Sequence, residues 1–236
     1  THYGYGNAVI HNAGTWQILQ NVNLLNGAGT NRFINTGILQ KTGGTSSARI
    51  GWTFTTTGTV NTPNGSLYLD NWSGNNTLLG AMTWSEGALN GSVNVLSGAV
   101  LNWTGGTAKG AISLDGTLNW ANADLNAPLI VSPSGQLTIS NTVTFGYNNG
   151  IQNGGGALTN FGSLIWAGAT HYGYGNAIVH NAGACAIVAN INLVIATGTN
   201  VFFNAGTLEK SGGASTATIN WRFTSTGTIN TPAAPL

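Results

Sequence analysis

The chain has 236 residues but only six Lys or Arg and five Asp or Glu, for a formal charge of +1, together with 36 Gly. About a quarter of the residues in a soluble domain usually carry charge, so this surface must be built from Thr, Ser, Asn and small apolar groups, and six scattered cations exclude the basic stripe that nucleic-acid binding requires. A single Cys excludes an internal disulfide and a multi-cysteine metal cluster, no run of about 18 apolar residues offers membrane insertion, and near-neutral copies repel one another little, which favours self-association.

The opening passage THYGYGNAVIHNAG carries His2 and His11 and leads into a glycine followed by an apolar alternation, NAGTWQI at Gly14. The pattern returns as NTGILQK (Gly37) and TTGTVNT (Gly58). After an interval of about two steps it continues as SGAVLNW (Gly98), LDGTLNW (Gly116), PSGQLTI (Gly135) and NFGSLIW (Gly162). At Thr170 the opening passage begins again as THYGYGNAIVHNAG, with His171 and His180, and the rhythm resumes in NAGACAI (Gly183), NAGTLEK (Gly206) and STGTINT (Gly227). Aligned without a gap, residues 1–67 and 170–236 are identical at 39 of 67 positions. The implied organisation is one repeat domain over 1–236 holding two copies of a long repeat of about 169 residues. Because the chain opens on Thr and the second copy is partial, a piece of a longer array is expected, with targeting information outside it.

Two places after the rhythm glycines stand Trp16, Leu39, Val60, Val100, Leu118, Leu137, Leu164, Cys185, Leu208 and Ile229. Each can be buried, and the flanking positions are mostly small or polar, which is the period of two that marks a strand with one buried face. Helix is excluded on the same stretches by Gly, Thr, Asn and β-branched residues without a stripe at spacing three and four. Glycine before each strand suits a corner that needs positive φ or close approach between coils. A β-sandwich also has short strands at regular intervals, but it has no reason to repeat one glycine and one inward residue coil after coil. The expected fold is all-β, a right-handed parallel β-helix with coils of about 20 residues, ten to twelve of which would make a rod of around 50 Å. The ten residues above would form its core ladder.

Catalytic, cofactor and metal-binding residues are not identifiable. The carboxylates Asp70, Glu86, Asp115, Asp124 and Glu209 form no close pair in sequence, and Asp115 sits in the turn LDG. His2, His11, His171 and His180 make a candidate contact passage, but eight intervening residues is not a usual metal-ligand spacing and no carboxylate or Cys accompanies them. Trp72, Trp103, Trp120 and Trp221, each preceded by Asn, form a stacking platform for sugars if they are exposed, and cover corners or fill the core if they are not. Thr-rich strands such as 53–59 and 224–228 raise an ice-binding face, which demands Thr on one side of every coil. Sequons at Asn64, Asn71, Asn75, Asn90 and Asn102 matter only in a glycosylating secretory pathway.

The stretches NTGILQKTGGTSSARIGWTFTTTGTVNTPNGSLYL and NAGTLEKSGGASTATINWRFTSTGTINT resemble the N-x-G-T-L-x-K-x-x-G and F-x-x-x-G-T-V-N repeats of bacterial secreted β-strand-repeat proteins. Those are similar to filamentous-haemagglutinin-type adhesins and autotransporter passengers. The resemblance implies an extracellular or bacterial cell-surface parallel β-helix with a structural or adhesive task and no catalytic residue to carry over. The expected role is a non-catalytic element of a fibre or stalk assembled by end-to-end stacking of coils, with self as partner, and with a glycan or cell surface as the target if the chain is instead an adhesin.

Overall fold

The computed structural model describes residues 1–146 and 155–232. Among these residues there are 31 β-strands and no helix. All strand pairs are parallel, and the chain winds as a β-solenoid of about 11 turns of about 21 residues. The last four positions of the second long-repeat copy, 233–236, lie outside the described residues.

Each coil contributes to three ladders of strands. Coil 1 shows the plan, with His2–Gly4 in the first ladder, Val9–Asn12 in the second and Thr15–Ile18 in the third. These pair with Asn23–Asn26, Arg32–Asn35 and Ile38–Lys41 of coil 2. Coils 3 to 7 follow over residues 48–61, 67–84, 85–103, 107–121 and 124–140, coil 8 has its described strands within 143–146 and 157–166, and coils 9 to 11 run over 169–187, 191–210 and 218–230. Two long strands bend round a corner and serve two ladders: Ala48–Thr56 pairs through Ile50 with Leu24 and through Phe54 with Phe33, and Ala81–Leu89 does the same between coils 4 and 5.

The alternation read from sequence is the alternation of burial. In Ala48–Thr56 every second residue is buried, and in Val100–Trp103 the inward pair is Leu101 and Trp103. Leu39, Val60, Leu118, Leu137, Leu164, Cys185 and Leu208 are all buried, in register from coil to coil along the third ladder wherever consecutive coils carry them.

Three assigned ladder residues are not buried. Val100 is only half-buried and Leu101 takes the inward place. The cause is a turn closed by Ala99 N–H donating to the Leu96 carbonyl, with Gly98 at φ 80°. Ala99 therefore becomes the corner residue, and two places beyond it lies Leu101. Trp16 is 37 % and Ile229 43 % exposed, because each belongs to a terminal coil with a neighbour on one side only. The long interval between Gly58 and Gly98 holds one more coil, with Gly80 at the corner and Met82 buried two places on.

Most rhythm glycines are there for close approach. Gly37 stacks on Gly14 so tightly that a Cβ would run into the Gly14 carbonyl oxygen, and it does not have positive φ. Between coils 3 and 4 the third ladder slips by two residues, so that Thr59 opposes Leu79 and Thr62 N–H donates to the Ala81 carbonyl. A slip of two keeps every side chain on its own face, whereas a slip of one would reverse them all.

Candidate functional site

The interior is organised in columns that run through successive coils, and three kinds are present. The first is aromatic. Rings touch in sequence from Trp16 to Phe33, Phe54, Trp72, Trp84, Trp103, Trp120, Phe145 and Trp221, with centroid separations between 4.9 and 6.4 Å. Trp84, Trp103 and Trp120 lie nearly parallel, at 9° and 11°. Stacked and edge-to-face rings add to the area they bury. All four Asn-preceded Trp residues are buried, so these indoles supply the core and present no platform to a sugar.

The second column is made of amides at the end of the second ladder. Asn160 Nδ2 donates to Asn181 Oδ1 at 2.7 Å, Asn181 Nδ2 to Asn204 Oδ1 at 2.7 Å, and Asn204 Nδ2 to the Ser225 hydroxyl at 3.0 Å. Each of these Asn also donates to a backbone carbonyl of the following coil, for example Asn181 to Thr207 at 3.0 Å. The first copy repeats the scheme, from Asn12 to Asn35 at 2.7 Å and Asn35 to the Thr56 hydroxyl at 3.0 Å. Burial of an amide is tolerable because its hydrogen-bonding groups are satisfied along the column.

The third feature is a caged ammonium. Lys41 is fully buried, with Nζ donating to the carbonyls of Gly43 (2.7 Å), Gly44 (2.6 Å) and Asn64 (2.8 Å) and to Asn21 Oδ1 (3.3 Å). Burial lowers its pKa, and the ring of carbonyl oxygens is what makes a buried cation acceptable there. One side chain thus ties together the turns of three coils. Lys210, its counterpart in the second copy, donates to Gly212 and Gly213. The signal was present in the sequence, since both copies read N-x-G-x-L-x-K-x-G-G, but polar residues on a strand are ordinarily read as outward.

The histidines separate into two kinds. His11 and His180 point outward, the first beside the Thr36 hydroxyl at 3.1 Å and the second against the Phe203 ring at 5.0 Å. His2 and His171 occupy the same place in the two copies with opposite environments. His2 is exposed on coil 1. His171 is fully buried between coils 8 and 10, its ring 5.6 Å from Trp166 and neither nitrogen hydrogen-bonded. Burial pulls its pKa down to about 4, with the Gly168 backbone opposing the shift without closing a hydrogen bond of proper geometry. Among the described residues no three His, Cys, Asp or Glu side chains converge as metal ligands. The Cys185 thiol is pushed up to about 12 by burial and is chemically quiet at neutral pH.

Carboxylates are dispersed. Asp70 forms a two-point pair with Arg49, at 2.7 and 2.8 Å, while the Arg49 guanidinium lies 4.7 Å from the Tyr68 ring centre. Asp115 stands at a corner after the second ladder and Asp124 on the first ladder, so they occupy different faces. Threonine forms no continuous rank: in the outward column through Thr207 and Thr228 the preceding coils hold Ala184, Ser163 and Gln136. The outer third face instead carries amides and hydroxyls, with Asn119 donating to Asn102 at 2.8 Å beside a groove of about 570 Å³ lined by Gln40, Asn61, Thr83 and Asn102.

Apolar side chains lie open at the two end faces. At coil 1, His2, Trp16, Val22 and Leu24 border an apolar cavity of about 340 Å³ that reaches Ile50. At coil 11, Phe223 is 38 % exposed and Ile229 lies open beside it. No protein-family model, no curated protein and no solved structure matches the chain.

Proposed function

We propose that this chain is a non-catalytic structural rod of an extracellular or cell-surface fibre or stalk, lengthened by further coils stacked on its end faces. One observation carries the reading: the same residues occur twice, once covered and once bare. Leu193, Val179 and His171 are buried inside the rod, whereas Leu24, Ile10 and His2, their counterparts in coils 1 and 2, are partly or largely open. At the other end Phe54 and Val60 are fully buried, while their counterparts Phe223 and Ile229 are exposed. Open strand edges of this kind are templates for further pairing, and a surface almost without charge does nothing to prevent it. Secretion to the cell surface is supported by the repeat motifs resembling secreted β-strand-repeat proteins. Negative-stain electron microscopy of the purified chain over a rising concentration series tests the proposal. Rods that lengthen into filaments are expected, and a monodisperse monomer at the highest concentration would contradict it.

Adhesion to a glycan is the second reading, and what favours it is the row of amides on the outer third face. Binding on a glycan array that is lost on replacing Asn102 and Asn119 would support it.

A further inference from the structure

Resting on the glycan reading above, we infer that the groove on the outer third face is a binding site for uncharged saccharides, built where the third ladder slips between coils 3 and 4. It lies on the side of the rod, on coils 2 to 5, each of which has a neighbouring coil on both sides. The outward column of this ladder reads Gln17, Gln40 and Asn61 before the slip and Thr83, Asn102, Asn119 and Thr138 after it. Every member carries a carboxamide or a hydroxyl, whereas coils 8 and 9 place Ile165 and Ala186 in the same column. The slip breaks the line, because Ala81 stands beside Asn61 and Thr83 is carried two residues further along the strand. A methyl group thus lies where a polar side chain would have filled the step, and Ala81 and Pro63 give the groove a small apolar surface between its amides.

The backbone donors at the slip are spent. Thr62 N–H donates to the Ala81 carbonyl at 2.9 Å, Ala81 N–H to Asn61 Oδ1 at 3.0 Å and Thr83 N–H to the Thr62 hydroxyl at 2.7 Å, so a peptide strand adding here would find none of them free. The side chains are in the opposite state. Among the described residues no hydrogen bond uses the Gln40 carboxamide, the Asn61 Nδ2 group or the Thr42 hydroxyl, and the Thr83 hydroxyl only accepts, from Asn102 at 3.4 Å. All of these side chains are half-buried. Their supports are fixed before a ligand arrives: Lys41 Nζ ties together the carbonyls of Gly43, Gly44 and Asn64, and Asn64 Nδ2 donates to the Thr42 carbonyl at 2.6 Å.

A ligand that fits carries many groups that both donate and accept, and carries no charge. A carboxamide sets an acceptor beside two donors and a hydroxyl does both, which matches the neighbouring hydroxyls of a sugar ring. Among the described residues no ionisable side chain lines the groove, so a sulfated, sialylated or phosphorylated ligand would give up water around its charge and gain no cation in return. At about 570 Å³ the groove has the size of a small-molecule site. Polar side chains on successive coils recur at about 4.8 Å along the rod, so a stretch of sugar chain lying along the axis meets one at each step.

A printed array of neutral oligosaccharides beside sialylated and sulfated ones, probed with the whole chain, tests the site. The wild type is expected to bind neutral members. Gln40→Ala combined with Thr42→Val strips two unspent groups from the groove, and Ala81→Trp fills it; each variant should lower the signal by about tenfold or more. The first should leave the urea midpoint unchanged, since neither side chain it alters bonds within the protein, and it decides alone if Ala81→Trp proves less stable. Thr138→Ala, in the same column two coils beyond the groove, should keep the signal within about twofold of wild type. Binding that survives both groove variants would overturn the groove and leave glycan adhesion standing. A preference for sialylated or sulfated members would overturn the uncharged class. An array that stays silent throughout would instead remove the adhesion reading itself.

Discussion

The coils at the two ends and the coils between them fill one interior with opposite chemistry. At the last position of the second ladder, coils 1 to 3 hold Asn12, Asn35 and Thr56, and coils 8 to 11 hold Asn160, Asn181, Asn204 and Ser225. Coils 4 to 7 place Leu78, Val95, Leu114 and Val131 at that position, all buried. The third ladder repeats the contrast, with Lys41 and Lys210 in the copies and Trp84, Trp103 and Trp120 in the centre. An apolar column gains from each area buried and is indifferent to which neighbour supplies it. A column of amides is stable only when each donor meets the acceptor one coil away, so it fixes register at no gain in apolar burial. At this position the end coils are thus where side-chain hydrogen bonds specify register, and the central coils are where apolar packing fills the column.

Removing a ring from the centre should have the largest effect. Trp103→Ala takes the middle ring out of a three-ring stack and is expected to cost about 4 kcal/mol, read as a lower urea midpoint; a change below 1 kcal/mol would mean that the stack contributes little. Acid should act next, and on the second copy. His171 has a folded pKa of about 4 against an ordinary 6.5, so the unfolded chain binds the proton first. Stability is then complete above about pH 6.5 and falls as the pH drops toward 4, by about 3 kcal/mol in all. His171→Leu should flatten that part of the profile, and an unchanged slope would show that other groups cause it. A smaller effect, about 2 kcal/mol, is expected for Asn181→Leu, which strands the donor of Asn160 and an acceptor of Asn204. If it proves neutral, the amide column is no more demanding than the aliphatic one. Least of all, Asn102→Ala on the outer face should change stability by no more than about 0.5 kcal/mol, because its amide lies at the surface.

Much of this was legible in the residues themselves. Corner glycines with an apolar residue two places on mark Leu39, Leu118 and Leu208 because the strand period is two and the corner recurs once per coil. The rule misplaced Val100 because Ala99, with a side chain small enough for the corner, stood where glycine was expected. Trp16 and Ile229 carry the correct pattern, yet their burial depends on a neighbouring coil, which periodicity does not report. His2 and His171 make the point most directly: identical residues in passages that differ only by the exchange of Val9–Ile10 for Ile178–Val179, one open and one sealed by position in the stack. The caged Lys41 and the Asn columns were hidden because partners such as Asn21 and Asn64 for Lys41, and the next Asn in each column, lie about 20 residues away and are brought close only by winding.

Spin-label distances along one outward column test the stacked-coil account most directly. Val100, Ala184 and Thr207 lie in that column, through Thr117, Gln136 and Ser163. With labels on Cys substituted at Val100 and at Ala184, Thr207 or Thr228 in turn, the separation should grow by about 4.8 Å for each added coil, from roughly 19 to 24 to 29 Å. Distances that fail to rise with coil number would contradict a rod built of parallel, in-register coils.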